Sequence, residues 1–303
     1  VFRHRRQVVS TDNVLSLTRG APFSLSQLLN SFNPLDHIFT GVCESEEDLS
    51  KCFGQVYQSQ DVDSAQLNYV LPAEDDAAPG LVVLLEGLIR QAGHWGAKQV
   101  TADLPVDSNL FSLFRRAGFS VLAKQRVFCC DNTWNNQAHL TGVWRFWDSK
   151  DVQAMRSLHA MLVPPVVQPV EPLTRRKKVG LVYYDQDGDL KAYADLVYGP
   201  VGAWVLPFIH PQTKEAPADL LCQLLKELPG LNGRHVYIIA RSYQPWIENA
   251  LLGSPAQPGP EQALMVRYMA LRQRVKPELS FGALENGKPE PTVPLAPIRH
   301  NRP

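Results

Sequence analysis

One order of secondary-structure signals runs twice along this 303-residue chain, and that repetition narrows the folds open to it. Each pass is a run of strands, then a helix, a strand, a second helix and a last strand. In the first half, His37–Cys43, Cys52–Gln58 and Ala65–Pro72 read as a meander of strands, with the acidic turn Glu44–Ser50 between the first two. Ser24–Ser31, ahead of them, reads as a short amphipathic helix. Gly80–Gly93 sets Leu81, Leu84, Leu85 and Leu88 at helical spacing, and Gly93 with Gly96 is expected to end that helix. Lys98–Leu104 is the next strand. Asp107–Ala117 is a helix capped by Asp107 or Ser108 and closed by Gly118, and Phe119–Cys130 is the last strand.

The second half repeats the order. Gly142–Trp147 is a strand and Asp148–Leu162 a helix. Lys178–Asp185 and Asp189–Tyr198 are strands turning at Asp187-Gly188, and Gly202–His210 is the third of the set. Pro217–Leu228 is a helix, His235–Arg241 a strand, Pro245–Leu252 a short helix and Gln262–Ala270 the closing strand. The repeat predicts an internal duplication, with one domain over 1–130 and another over 142–275. Residues 131–141, polar and rich in Asn, are the expected linker. Val163–Lys178, rich in Pro and then basic, reads as an extended loop. Residues 276–303 are rich in Pro and expected to be disordered.

Composition excludes several classes of function. Lys and Arg number 30 and Asp and Glu number 30, so the chain lacks the basic excess that neutralises phosphates in a dedicated nucleic-acid binder. It also lacks a polybasic membrane-surface character. Hydrophobic residues make up 45%, enough to bury a core, which sets aside disorder as the main state. No apolar run approaches the roughly 20 residues that span a bilayer. Val1–Arg6 holds no apolar stretch, so no signal peptide is expected and a cytoplasmic location is the default. Cys43, Cys52, Cys129, Cys130 and Cys222 form no CxxC pair. They read as small buried hydrophobes, neither a disulfide framework nor a metal site.

The most specific segment is Asp107-Ser108-Asn109-Leu110-Phe111-Ser112-Leu113-Phe114-Arg115-Arg116-Ala117-Gly118-Phe119. It resembles the fourth helix of the GNAT N-acetyltransferase superfamily, N-x-x-A-x-x-L-Y-x-x-x-G-F, and matches its ending at Gly118 and Phe119. The resemblance covers about residues 5–130. Over about 142–275 it rests on the order of elements. It implies an α/β (α+β) fold of two tandem GNAT-like acyl-CoA N-acyltransferase units.

That family binds acetyl-CoA where the central sheet splays between its fourth and fifth strands. A loop Q/R-x-x-G-x-G/A offers amides to the pyrophosphate at the start of the next helix. The resemblance therefore implies acetyl-CoA contacts at Leu71, Ala73, Ala78, Gly80, Asp107, Phe114 and Gln212, with no metal. The matching loop, Asp75-Asp76-Ala77-Ala78-Pro79-Gly80, departs from the pattern. Pro79 removes an amide donor, and Glu74, Asp75 and Asp76 set carboxylates where a diphosphate would lie. In the second half, Gln212-Thr213-Lys214-Glu215-Ala216-Pro217 keeps the Gln and has Glu215 at the Gly position. Phe114 stands where the family often has a proton-donating Tyr, so no catalytic residue is assigned.

Two functions stay open. One is acetyl transfer from acetyl-CoA to an unknown small-molecule amine, in which positioning supplies much of the rate. The other is a catalytically inactive GNAT-like protein that binds a ligand or a partner. Neither involves nucleic acid or membrane. Several residues have plainer readings. His210 is expected to be a structural strand-end His and Glu86 a solvated helix residue. Asp185, Asp187 and Asp189 form a hairpin turn rather than a calcium loop, since Leu196 stands where its downstream Glu belongs. Arg115 and Arg116 suit either a phosphate or the negative end of their own helix.

Overall fold

The computed structural model describes residues 8–20, 36–44, 51–59, 62–71, 78–130, 134, 141–175 and 179–269. The helix expected at Ser24–Ser31, the acidic residues Glu74–Asp76, most of the linker and the tail lie outside them. The described elements belong to one unit, Val1–Ala270.

In chain order they are β1 (Val9–Ser10), α1 (Asn13–Arg19), β2 (Asp36–Glu44), β3 (Lys51–Ser59), β4 (Ser64–Leu71), α2 (Ala78–His94), β5 (Gln99–Pro105), α3 (Asn109–Arg116) and β6 (Ser120–Cys130). The second half gives β7 (Val143–Phe146), α4 (Val152–Leu162), β8 (Gly180–Tyr184), β9 (Leu190–Tyr198), β10 (Gly202–Ile209), α5 (Pro217–Glu227), β11 (His235–Arg241), α6 (Pro245–Leu252) and β12 (Gln257–Tyr268). The fold is mixed α/β.

Local chemistry explains most boundaries. Leu81, Leu84, Leu85 and Leu88 of α2 are buried against the sheet, each stabilising by roughly 1.5–3 kcal/mol. That helix runs through Gly93 to His94, so Gly96, at φ 87°, marks its end rather than Gly93. Ser108, not Asp107, caps α3, its Oγ accepting from Leu110 N at 3.2 Å. α4 starts four residues later than the sequence suggests. Asp148–Asp151 form a turn in which Asp151 accepts from Asp148 N at 2.8 Å.

The strands join in one sheet in the order β2-β3-β4-β5-β12-β6-β11-β10-β9-β8-β7, with β1 paired to β4. The closing strands of the two halves are exchanged. β12 lies between β5 and β6, antiparallel to both, and β6 pairs with β11 of the second half. β12 also begins five residues before the sequence suggests, through Pro258 and Pro260. Over Gln257–Glu261 only β6 pairs with it, and β5 joins from Gln262 onward. Proline is tolerated where a strand still has a free edge.

β1 and α1 were not expected from the sequence. Asp12 caps α1, accepting from Leu15 N at 2.9 Å, and the helix packs on the second half. Val201 N donates to Thr18 O at 2.9 Å, and a Cβ at Gly199 would meet Thr18 O at 2.2 Å. That close approach is what requires glycine there. The amino-terminal segment thus sits on β9 and β10 with its helix and reaches the first half with its strand.

Candidate functional site

Two pairs of parallel strands define the candidate clefts. β4 and β5 pair only at Ser64↔Gln99, Ala65↔Val100 and Gln66↔Thr101, then part. β10 and β11 pair from Gly202↔His235 to Val205↔Ile238, then part. Each opening exposes main-chain groups on its flanks, and buried groups of that kind need partners.

The first opening is filled by main chain. β1 runs antiparallel to β4, Val9 opposite Val70 and Ser10 opposite Tyr69. Thr11 N donates to Asn68 O at 2.9 Å, and Thr11 Oγ1 donates to Leu67 O at 2.9 Å. On the β5 flank, Asp103 N donates to Thr11 O at 2.8 Å, and Gln66 Nε2 of β4 donates to the same oxygen at 3.0 Å. Thr11 is wholly buried. Next to it, Asp12 accepts from Tyr57 OH at 2.5 Å. Burial, with help from the Asp103 charge, raises the Asp12 carboxyl to about 6 against the hydrogen bonds from Tyr57 and Leu15.

The second opening is filled by side chains. Gln244, wholly buried, donates from Nε2 to Pro207 O at 3.0 Å and accepts at Oε1 from Ile209 N at 3.1 Å. Trp246 Nε1 donates to Ile209 O at 3.1 Å. One amide and one indole satisfy the flank of β10 that β11 leaves.

The loop entering α5 is engaged with itself. Gln212 N donates to His210 Nδ1 at 3.0 Å, Thr213 N to His210 O at 3.1 Å and Glu215 N to Thr213 Oγ1 at 3.2 Å. Pro217 brings no amide hydrogen. Glu215 itself accepts from Thr141, from Tyr183 OH at 2.9 Å and from Thr213 Oγ1 at 2.7 Å. Burial would raise its pKa, but these hydrogen bonds hold it at about 2. A carboxylate of the protein's own therefore stands beside the α5 amino terminus, the end of a helix that attracts anions.

A buried polar chain runs from the first opening to Arg241 of β11, whose carbonyl accepts from Gln244 N at 2.9 Å. Asn13 N donates to Asp103 Oδ2 at 3.2 Å, and Gln125 Nε2 to Asp103 Oδ1 at 2.8 Å. Arg241 donates to Gln125 Oε1 and, at 2.8 Å, to Glu171 Oε1. Tyr243 OH donates to Glu171 Oε2 at 2.7 Å, and Arg175 bridges Glu171 and Asp195 at 3.2 and 3.1 Å. Burial would raise Glu171, but Arg241 and Arg175 hold it at about 2.

The residues singled out from the sequence are scattered over this frame. Leu71 is buried opposite Phe53. Gly80 lies in the first turn of α2, where a Cβ would meet Cys52 Sγ at 3.3 Å. Phe114 is wholly buried, 5.0 Å from the Phe119 ring, in a hydrophobic core it shares with Leu110 and Leu113. Asp107 and Gln212 are exposed. Ala73 lies outside the described residues, as does the side chain of Ala78 at the start of α2. His210 follows β10 directly and its Nδ1 accepts from Gln212 N, and Asp185–Asp189 form the expected turn, Asp187 N and Asp189 N both donating to Asp185 Oδ1. No group of three or more His, Cys, Asp or Glu suited to a metal occurs among the described residues. No helix there is long and apolar enough to cross a membrane.

Sequence reasoning passed over Thr11, Asp12 and Gln244. Thr11-Asp12-Asn13 carries a helix-start signal that could have revealed α1. Nothing local marks Thr11 for contact with residues 56 positions away, and Gln244 is one glutamine before a proline.

Comparison with known proteins agrees with this architecture. No family model matches the sequence, and no curated protein matches it either. Among solved structures, a GCN5-related N-acetyltransferase from Sphaerobacter thermophilus superposes with a TM-score of 0.52 at 10% identity, covering 86% of this chain and 96% of that one. A functionally unknown conserved protein from Staphylococcus epidermidis gives 0.49 at 9% identity, covering 68% and 85%. A tandem GNAT protein from the clavulanic acid biosynthesis pathway gives 0.47 at 15%, covering 86% and 94%. The first likeness assigns this chain the GNAT fold; the other two are too loose to add to it.

Proposed function

We propose that this GNAT-fold protein has given up acyl transfer and works as a binding or assembly protein built on the acyltransferase sheet. The carrying observation is Thr11, bonded to β4 on one side and to β5 on the other. It fills the opening in which a GNAT enzyme would seat the acyl-CoA arm. To enter there, an arm must strip partners from Leu67 O, Asn68 O and Asp103 N. At about 1–3 kcal/mol for each buried group left unmade, the cost is roughly 3–9 kcal/mol before new contacts count. A micromolar complex is worth about 8 kcal/mol. The second opening and its loop support the same reading, since Gln244, Trp246 and Glu215 hold the places of ligand groups. Phe114 has no proton to give a departing thiolate.

A second reading is acetyl transfer from acetyl-CoA to a small amine. It is favoured by one observation: both parallel pairs still part after a few residues, as an acyl-CoA cleft requires. Isothermal titration of the full chain with millimolar acetyl-CoA separates the two. The expected result is no heat of binding and no thermal shift. Micromolar binding that Gly80→Glu abolishes with the fold intact overturns the first reading in favour of the second.

A further inference from the structure

One depression in the surface, lined by none of the residues that fill the two openings, lies between the outer face of α2, the end of α3 and β12. It measures about 400 Å³, within the roughly 300–1,000 Å³ range of small-molecule sites. Arg90 of α2, Arg116 of α3 and Arg267 of β12 line it, with Glu86 one helical turn before Arg90. We propose that this depression binds a small phosphate-bearing molecule.

Three observations support the assignment. First, three arginines and one carboxylate, Glu86, line the depression, and among the described residues none of the three arginines is in an ion pair, whereas Arg126, Arg145, Arg175 and Arg241 all are. Like charges gathered on one wall raise the local potential, and an anion relieves it. Second, the helix end explains only part of the cluster. The negative end of α3 accounts for Arg116 as a cation but not for Arg90 or Arg267, which come from the outer face of α2 and from a strand. Third, the backbone makes room for Arg267. Gly118, at φ 83°, lets its carbonyl accept from Arg267 Nη1 at 3.4 Å, and a Cβ at Gly118 would lie 2.4 Å from that nitrogen. The exchange of closing strands is what brings Arg267 to this place.

The chemistry selects the ligand class. Arginine forks match phosphate and carboxylate oxygens, and three of them suit a doubly charged phosphoryl group better than a single carboxylate. Glu86 on the wall accepts a hydrogen bond from a hydroxyl or amine on the same molecule and repels a polyanion. The site is not the acyl-CoA opening. Arg90 lies ten residues, about 15 Å of helix, beyond Gly80. The assignment stands whichever reading of the clefts holds.

The test is titration of the full chain with inorganic phosphate against chloride at equal ionic strength, by calorimetry and thermal shift. The wild type is expected to bind phosphate saturably. Arg116→Gln and the double variant Arg90→Gln/Arg267→Gln are expected to weaken binding at least tenfold. Their melting temperatures without phosphate should match the wild type, because these side chains are exposed. A second arm offers phosphatidic acid vesicles and pure phosphatidylcholine vesicles. Phosphate binding without retention on either vesicle upholds the small-molecule site. No saturable phosphate binding, equal binding by the double variant, or binding only to phosphatidic acid vesicles overturns it.

Discussion

Between β4 and β5 the sheet takes in a piece of its own main chain, whereas between β10 and β11 it takes in an amide and an indole. Both devices answer the same physical demand, since parting two parallel strands leaves donors and acceptors that burial will not tolerate. They differ in how much chain they commit. The first ties Thr11 to β4 and β5 and, through α1, to the second half, so closing it also fastens the two halves together. The second is local, made by residues that directly follow β11. A local filler can be replaced by another side chain; a strand can only be withdrawn.

That contrast predicts unequal damage. Thr11→Pro removes the donor to Asn68 O and the hydroxyl that serves Leu67 O, and should cost about 4 kcal/mol or more. A Tm lower by roughly 10 °C in calorimetry is expected. Gln244→Leu orphans Ile209 N and Pro207 O but keeps the volume filled, and should cost about 3 kcal/mol. If the two losses came out equal in denaturant titrations, the distinction between a strand and a side-chain filler would fail.

The pH dependence of the first opening is next in size. Asp12 titrates near 6 in the folded protein against 3.8 as its ordinary value. A raised carboxyl favours the folded state when protonated. Its contribution is full below about pH 4 and is lost as pH rises through 6, up to about 3 kcal/mol. Glu171 and Glu215, both held near 2, act in the opposite sense, with stability lost as pH falls toward 2. The clean readout is therefore the difference between wild type and Asp12→Asn, which keeps an acceptor for Leu15 N. That difference should change between pH 4 and 6; a flat difference would remove the buried carboxyl from the account. The smallest effect is expected for Trp246→Phe, which frees only Ile209 O, at about 1 kcal/mol in chemical denaturation.

Much of the framework was legible in the residues. His235–Arg241 and Pro245–Leu252 form the elements their patterns indicate, and the leucine spacing of α2 fixes the buried face. These are local effects, set by periodicity, caps and the residues that break helices. The GNAT fold was legible too, because the helix ending at Gly118 and Phe119 carries a recognisable local pattern. What escaped was long-range: Gln257–Glu261 joins β12 because β6 offers an edge, and Val9–Ser10 becomes strand, with Thr11 following it, because β4 and β5 part around them.

By itself, then, the sequence determined most of the elements from β2 onward, their order and the phenyl ring at position 114. Only the tertiary structure decided that the closing strands change places, that Thr11 and Gln244 occupy the two openings, and that Arg267 lines one depression with Arg90 and Arg116. The reason is that a hydrogen bond between residues 56 positions apart leaves no periodic trace. Its partners are chosen by which main-chain groups the rest of the sheet leaves unpaired.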